Sequence, residues 1–99
     1  MEDFIDIHAD PVHVKREREK ARQLRKTEWW RQKLSAGVCH YCGAKVGADA
    51  LTLDHVIPLS RGGRTTKGNC VASCKNCNNE KKSYTPAEMI LKNLFPEEP

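Results

Sequence analysis

The chain contains no long apolar run and no basic-then-apolar leader, so neither membrane insertion nor export is expected. It has 99 residues, room for one small domain with extensions and none for a second catalytic or sequence-reading domain. Apolar residues are few, 38% against 30% charged, and the core candidates cluster after residue 35. A core that thin ordinarily needs a staple, either disulfides or a structural metal. With no export signal the expected compartment is cytoplasmic, where thiols stay reduced, and this disfavours disulfides. Apart from a doubled Cys-x2-Cys there is no internal repeat.

The formal charge is +4, a modest excess whose distribution is more informative than its size. Residues 15–33 hold nine Lys/Arg against three Glu, while residues 1–14 hold four acidic residues and no Lys or Arg. A basic segment beside an acidic one points to a polyanion partner, nucleic acid ahead of membrane.

Residues 1–13 read as an acidic arm, flexible or ordered by a partner, carrying Phe4, Ile5 and Ile7 and ending in Asp10-Pro11, where the residue before proline is pushed toward an extended conformation. Between 14 and 35 there is neither proline nor glycine, and Ala21, Leu24, Thr27, Trp30 and Leu34 recur at steps of three and four. This periodicity predicts a basic amphipathic helix over 14–36, stopped by Gly37. The helix has two compatible uses, packing Trp30 and Leu34 on the small domain and running its Lys/Arg face along a phosphate backbone. Trp29 lies about 100° around the helix from Trp30, so the two indoles cannot share one core equally, and one is left to meet a base, a partner or the arm.

Beyond Gly37 the chain predicts a knuckle at 38–43, a strand over 50–57 ended by Pro58 and the Arg61-Gly62-Gly63-Arg64 loop, a second strand over 70–73 and a helix over 75–83. Thr85-Pro86-Ala87-Glu88 combines an N-cap, a proline at the first helical position and a glutamate at the third, so a last helix is expected to run to about Phe95.

Cys39-x2-Cys42 and Cys74-x2-Cys77, 31 residues apart, offer four thiolates. A two-residue gap lets both sulfurs of a knuckle reach one tetrahedral ion at about 2.3 Å. Four sulfurs leave no open position for water, so a closed structural zinc site is expected, contributing on the order of 10 kcal/mol to folding. The fifth cysteine, Cys70, has no partner at knuckle spacing and reads as a small buried residue on the second strand. His40 is not needed as a ligand when four cysteines are present.

Between the cysteine pairs lies Leu53-Asp54-His55-Val56-Ile57-Pro58-Leu59-Ser60-Arg61-Gly62-Gly63, then Asn69, and after the second pair Asn78 and Lys81. In order and spacing these residues, over roughly 30–85, resemble the HNH nucleases with their ββα-metal (His-Me finger) core. The resemblance implies an α+β fold, with residues 37–99 forming the nuclease domain and its C-terminal helix. It implies His55 as general base, Asp54 and Asn78 as ligands of one catalytic divalent metal, Asn69 as the residue that holds the inter-strand loop, and Lys81 in contact with phosphate. Asn78 stands where the name-giving His-Asn-His pattern has its final histidine.

The chemistry of the residue types agrees with these roles. Imidazole, with an ordinary pKa near 6.5, is the natural base close to neutral pH. A carboxylate and an amide oxygen suit Mg²⁺ or Mn²⁺ better than a transition metal that prefers imidazole. Asp54 and His55 are neighbours and so point to opposite faces of a strand, as in-line displacement requires if one side delivers water and the other holds metal on the leaving oxygen. Arg61 and Arg64 read either as a solvated turn or, with Lys82, as a phosphate clamp, because the intervening glycines serve both.

These expectations describe a zinc-stabilised, magnesium- or manganese-dependent endonuclease. It hydrolyses DNA phosphodiesters to 5′-phosphate and 3′-hydroxyl ends with weak sequence preference, and RNA remains an open substrate. One site per chain nicks, and double-strand cuts need a homodimer or two encounters. The competing readings are a zinc-stabilised binding module that does not cut and a nuclease subunit of a phage packaging or restriction complex.

Overall fold

The structure, a computed structural model, describes residues 9–94. Most of the acidic arm and the end of the C-terminal segment lie outside them. The elements are helices α1 (Pro11–Leu24) and α2 (Glu28–Ser35), strands β1 (Leu51–His55) and β2 (Cys70–Cys74), and helices α3 (Lys75–Lys81) and α4 (Pro86–Leu94). Tight 3-10 turns occupy Ala48–Ala50, Leu59–Arg61 and Lys67–Asn69. The two strands pair antiparallel and run directly into α3, which makes the ββα unit of an α+β fold.

The basic helix expected as one element over 14–36 is two helices. Its start is earlier, because Asp10 caps it, accepting a hydrogen bond from Val12 N at 2.8 Å, and Pro11 at the first position has no N–H to leave unpaired. Thr27 breaks it: its hydroxyl donates to Leu24 O at 2.7 Å and accepts from Trp30 N at 3.2 Å, ending α1 and capping α2. A side chain that satisfies both helix ends competes with continuing the helix.

The break lets α1 and α2 fold together against one face of the sheet. Ala21 of α1, Trp30 of α2 and Leu53, Cys70 and Ala72 of the strands form the buried core, with Leu24, Trp29, Leu34 and Leu51 around it. Trp30 is the buried indole, and an aromatic ring so placed contributes about 3–5 kcal/mol. Trp29 is half-buried, with the ammonium groups of Lys33 and Lys67 5.4 and 5.7 Å from its ring centroid. Cys70 is a core residue, and burial raises its thiol to about 11.

In the sheet Leu53 pairs with Ala72, Asp54 with Val71 and His55 with Cys70. Cross-strand partners share a face, so the Leu53 pair lies on the core and Asp54 points away from it. α3 stops at Lys81, earlier than the expected 83, because Lys82 adopts a positive φ of 50°. α4 begins with the reciprocal cap that its sequence encodes: Thr85 N donates to Glu88 Oε1 at 2.9 Å and Glu88 N to Thr85 Oγ1 at 3.3 Å. Among the described residues no helix is long and apolar enough to cross a membrane.

Candidate active site

Cys39, Cys42, Cys74 and Cys77 come together from the knuckle, the end of β2 and the first turn of α3, with all four sulfurs within 4.8 Å of one another. Four sulfurs each about 2.3 Å from one tetrahedral ion would lie about 3.8 Å apart, and Cys42 Sγ is 3.9 Å from Cys74 Sγ. The donor set fits zinc. Burial opposes ionisation of Cys39, but backbone N–H groups of Cys74 and Tyr41, each 3.3 Å from its sulfur, bring its thiol down to about 6. Burial and the neighbouring thiols push Cys77 up. His40 stands outside the sulfur cluster, its ring edge-on to Tyr41 and its N–H on Ala72 O at 2.8 Å.

Asp54 is buried on the face of β1 away from the core. Its Oδ1 accepts from Asn78 Nδ2 at 2.9 Å, its Oδ2 accepts from the Tyr41 hydroxyl, and Lys81 Nζ lies 3.5 Å from Oδ2. Asn78 and Lys81 are three apart on α3 and so share a helix face. Since Cys74 caps that helix and Cys77 lies in its first turn, the cysteine cluster fixes α3 where Asn78 meets Asp54. Lys81 departs from expectation: it is 4% exposed and donates to His55 O at 2.9 Å. Its charge is turned inward to Asp54 and the β1 backbone rather than outward to a phosphate.

His55 ends β1 and is half-buried. Its Nε2 lies 2.9 Å from Thr65 Oγ1. Thr65 is held in turn by α1: its N–H donates to Glu17 Oε1 at 2.7 Å and its hydroxyl donates to Glu17 O at 2.8 Å. Burial lowers the pKa of His55; Arg25 and Lys81 add to this, and Asp54 and Glu17 oppose it. Glu17 itself is 2% exposed yet held below the usual carboxylate range, first by the Thr65 N–H and then by Lys20, whose Nζ is 3.1 Å away.

The loop between the strands is braced by Asn69. Its Oδ1 accepts from Ile57 N at 2.8 Å, and its Nδ2 donates to Ile57 O at 3.1 Å and Arg64 O at 2.8 Å. Gly63 makes this possible, because a Cβ there would stand 1.8 Å from Ile57 O. Asn69 thus acts on the loop backbone. Arg61 is tied to Glu88 of α4 at 2.8 Å, while Arg64 is exposed.

Asp54 and His55 open together into a cleft of about 250 Å³ that Arg18, Leu59, Lys81 and Lys82 also line. The structure therefore brings Asp54, His55, Asn78, Lys81 and Lys82 to one place and leaves Arg61 and Arg64 outside the lining. Four participants escaped the sequence reading. Tyr41 is hidden among metal-binding cysteines, Thr65 sits in an unpatterned loop, and Glu17 and Arg18 lie in a charge-rich run. Glu17 had a signal: it precedes Ala21 by four residues and extends the buried stripe of α1.

Residues 39–83 match the family model of the HNH endonucleases. Over 72 residues the chain is 38% identical to the type IV methyl-directed restriction enzyme EcoKMcrA of Escherichia coli, covering 67% of this chain and 26% of that protein. It is 41% identical over 54 residues to the CRISPR-associated endonuclease Cas9 of Actinomyces naeslundii, and 38% over 56 residues to that of Corynebacterium diphtheriae. Those matches cover 54% and 56% of this chain and 5% of either Cas9. The chain thus spans about a quarter of the restriction enzyme and a small part of the two Cas9 proteins. The matched segment contains the four cysteines, Asp54, His55, Asn69 and Asn78, and it is over this segment that the chain is similar to the HNH endonucleases.

Proposed function

We propose that this chain is a metal-dependent nuclease that hydrolyses DNA phosphodiester bonds to 5′-phosphate and 3′-hydroxyl ends. The observation that carries the reading is the opening of Asp54 and His55, neighbours on β1 with separate sets of partners, into one cleft edged by cations. His55 takes the proton of the attacking water. Arg18 and Lys82 draw the phosphodiester into the cleft, and Asn69 keeps the loop that follows His55 and carries Thr65 in register. Asp54 and Asn78 would hold a hard divalent ion, Mg²⁺ or Mn²⁺, once the Asn78 amide, whose Nδ2 donates to Asp54 Oδ1 in this structure, turns its oxygen toward the carboxylate, and the ion would there neutralise charge on the phosphorane and on the leaving 3′ oxygen. Lys81 supports Asp54 from within.

One site per chain cuts one strand, so the isolated chain nicks. Its contacts to DNA come from exposed cations on α1 and the loops and reach phosphate rather than base edges. Weak sequence preference and steep salt dependence follow. A second reading, a nuclease unit that works in a larger assembly or as a homodimer, draws support from α4, where Ile90, Leu91 and Leu94 are 60%, 55% and 66% exposed.

The test is nicking of supercoiled plasmid by zinc-loaded protein with and without Mg²⁺ or Mn²⁺, beside a His55→Ala variant that keeps its zinc. Metal-dependent nicking that disappears in the variant is expected. Binding without cutting under any metal would replace this reading with that of a binding module.

A further inference from the structure

Glu17 is the most deeply buried carboxylate among the described residues, lies outside the 39–83 match, and has no part in the chemistry above. Its contacts decide a proton position. The Thr65 hydroxyl carries one hydrogen, and its 2.8 Å contact with Glu17 O must use it, because a carbonyl only accepts. The same oxygen is 2.9 Å from His55 Nε2 and has only a lone pair left to offer. Nε2 therefore carries the hydrogen, and in neutral imidazole Nδ1 holds the basic lone pair. The Glu17 carboxylate, meanwhile, anchors the Thr65 N–H at 2.7 Å. One residue of α1 thus fixes Thr65 by its main chain and by its side chain.

We propose that Glu17 and Thr65 are positioning residues that hold His55 in its Nε2–H tautomer and leave Nδ1 to take the proton of water. The proposal rests on the reading of His55 as general base. It makes α1, which carries no part of the family motif, an integral part of the active site. A histidine held in the wrong tautomer presents N–H where the lone pair is needed, and in the Ser-His-Asp triad this costs about 10⁴ in kcat.

Two measurements test it, and the first is independent of cleavage. Two-bond ¹⁵N–¹H correlation of the imidazole in zinc-loaded protein at about pH 8, where a free histidine is neutral, is expected to show His55 as Nε2–H. It is expected to remain so in Thr65→Ser and to become a mixture of tautomers in Thr65→Val. An Nδ1–H ring or a mixture in the wild type overturns the proposal. The second is plasmid nicking: Thr65→Val is expected to lower kcat about 10-fold, partly from the tautomer mixture and partly from a ring no longer held in place, which is less than the roughly 100-fold or more that a placed general base contributes, with KM within about twofold. Thr65→Ser restores most of the rate, Glu17→Gln retains it because its amide oxygen still accepts, and Glu17→Ala loses part of it. In a His55→Ala background Thr65→Val changes nothing further. Equal loss in the Ser and Val variants, or a loss carried by KM, overturns it. If the wild type does not nick, the nuclease reading fails while the tautomer measurement still decides the positioning claim.

Discussion

The hydroxyl of Tyr41 donates to Oδ2 of Asp54, thirteen residues away, while the Tyr41 N–H donates to Cys39 Sγ at 3.3 Å. One knuckle residue thereby touches both the sulfur cluster and the carboxylate of the cleft, and the site inherits its rigidity from the cluster. Tyr41→Phe keeps the ring and removes the donor. Hydrogen bonds to charged groups contribute about 1.5–3 kcal/mol, and partial exposure of Tyr41 reduces this to roughly 1 kcal/mol. A lower urea midpoint with unchanged slope is the expected result. An unchanged midpoint would show that Asn78 and Lys81 suffice to hold Asp54.

Removing the metal from the cysteine cluster should do far more. The described core has five members, two of them Ala and one Cys, so the cluster carries a large share of the folding free energy, on the order of 10 kcal/mol at neutral pH. A strong chelator is expected to abolish the far-UV helical signal and zinc to restore it. Cys42→Ser should weaken zinc binding, whereas Cys70→Ser, outside the cluster, should cost stability without changing zinc stoichiometry. A native far-UV spectrum in metal-free protein would contradict this.

The pH dependence follows from burial of His55, which lowers its pKa below 6.5 against the opposing charges of Asp54 and Glu17 and with the help of Arg25 and Lys81. In the proposed role of general base the reactive form is the unprotonated ring. A lowered pKa keeps that form dominant from below pH 6.5 upward, so the acid limb of the kcat profile should lie below 6.5 and the rate should be level above it. The same sign applies to stability. The unfolded chain binds the proton more readily, so His55 costs stability as the pH falls below its unfolded value. An acid limb centred above 6.5 would mean that Asp54 and Glu17 outweigh burial.

The loop between the strands should be the most easily broken support of the site. Asn69→Ala removes the partner of Ile57 N, Ile57 O and Arg64 O and is expected to cost about 1–3 kcal/mol. It should also expose the loop to proteases, with His55 losing rate through Thr65. Gly63→Ala places a Cβ 1.8 Å from Ile57 O and should be worse, forcing the backbone to move. Equal resistance to proteolysis in wild type and Asn69→Ala would remove the bracing role.

Arg18 is exposed at the cleft edge, so Arg18→Ala should weaken DNA binding evenly across sequences and reduce the slope of log K against log salt by about 1. Fluorescence anisotropy at several salt concentrations measures both. An unchanged slope would place Arg18 away from the phosphates.

Much of the site was legible because its chemistry is local. Cys-x2-Cys is a property of a few consecutive residues, and Cys74, Asn78 and Lys81 at steps of four and three share a face on any helix. The capping box of α4 is encoded within four residues. The sequence predicts one basic helix where the structure has two because Thr27 falls on the apolar periodicity, and helical phase says nothing about which backbone groups its hydroxyl will take. The inward turn of Lys81 is not legible there, because charge alone does not say which way a side chain turns; only the packing of α3 on β1 sets it.

What the sequence determined by itself was the ligand set of the cluster, the Asp54-His55 pair with its helix-borne Asn78, and the α+β class, since each depends on residue type at short fixed spacing. What only the tertiary structure decided was the set of groups holding His55. Glu17 and Thr65 are 48 residues apart, and they meet because Ala21 and Trp30 seat α1 and α2 on the Leu53–Ala72 face of the sheet. Contacts of that range depend on how apolar surfaces close over one another, and burial of a shared core leaves no mark on the spacing of the polar groups it brings together.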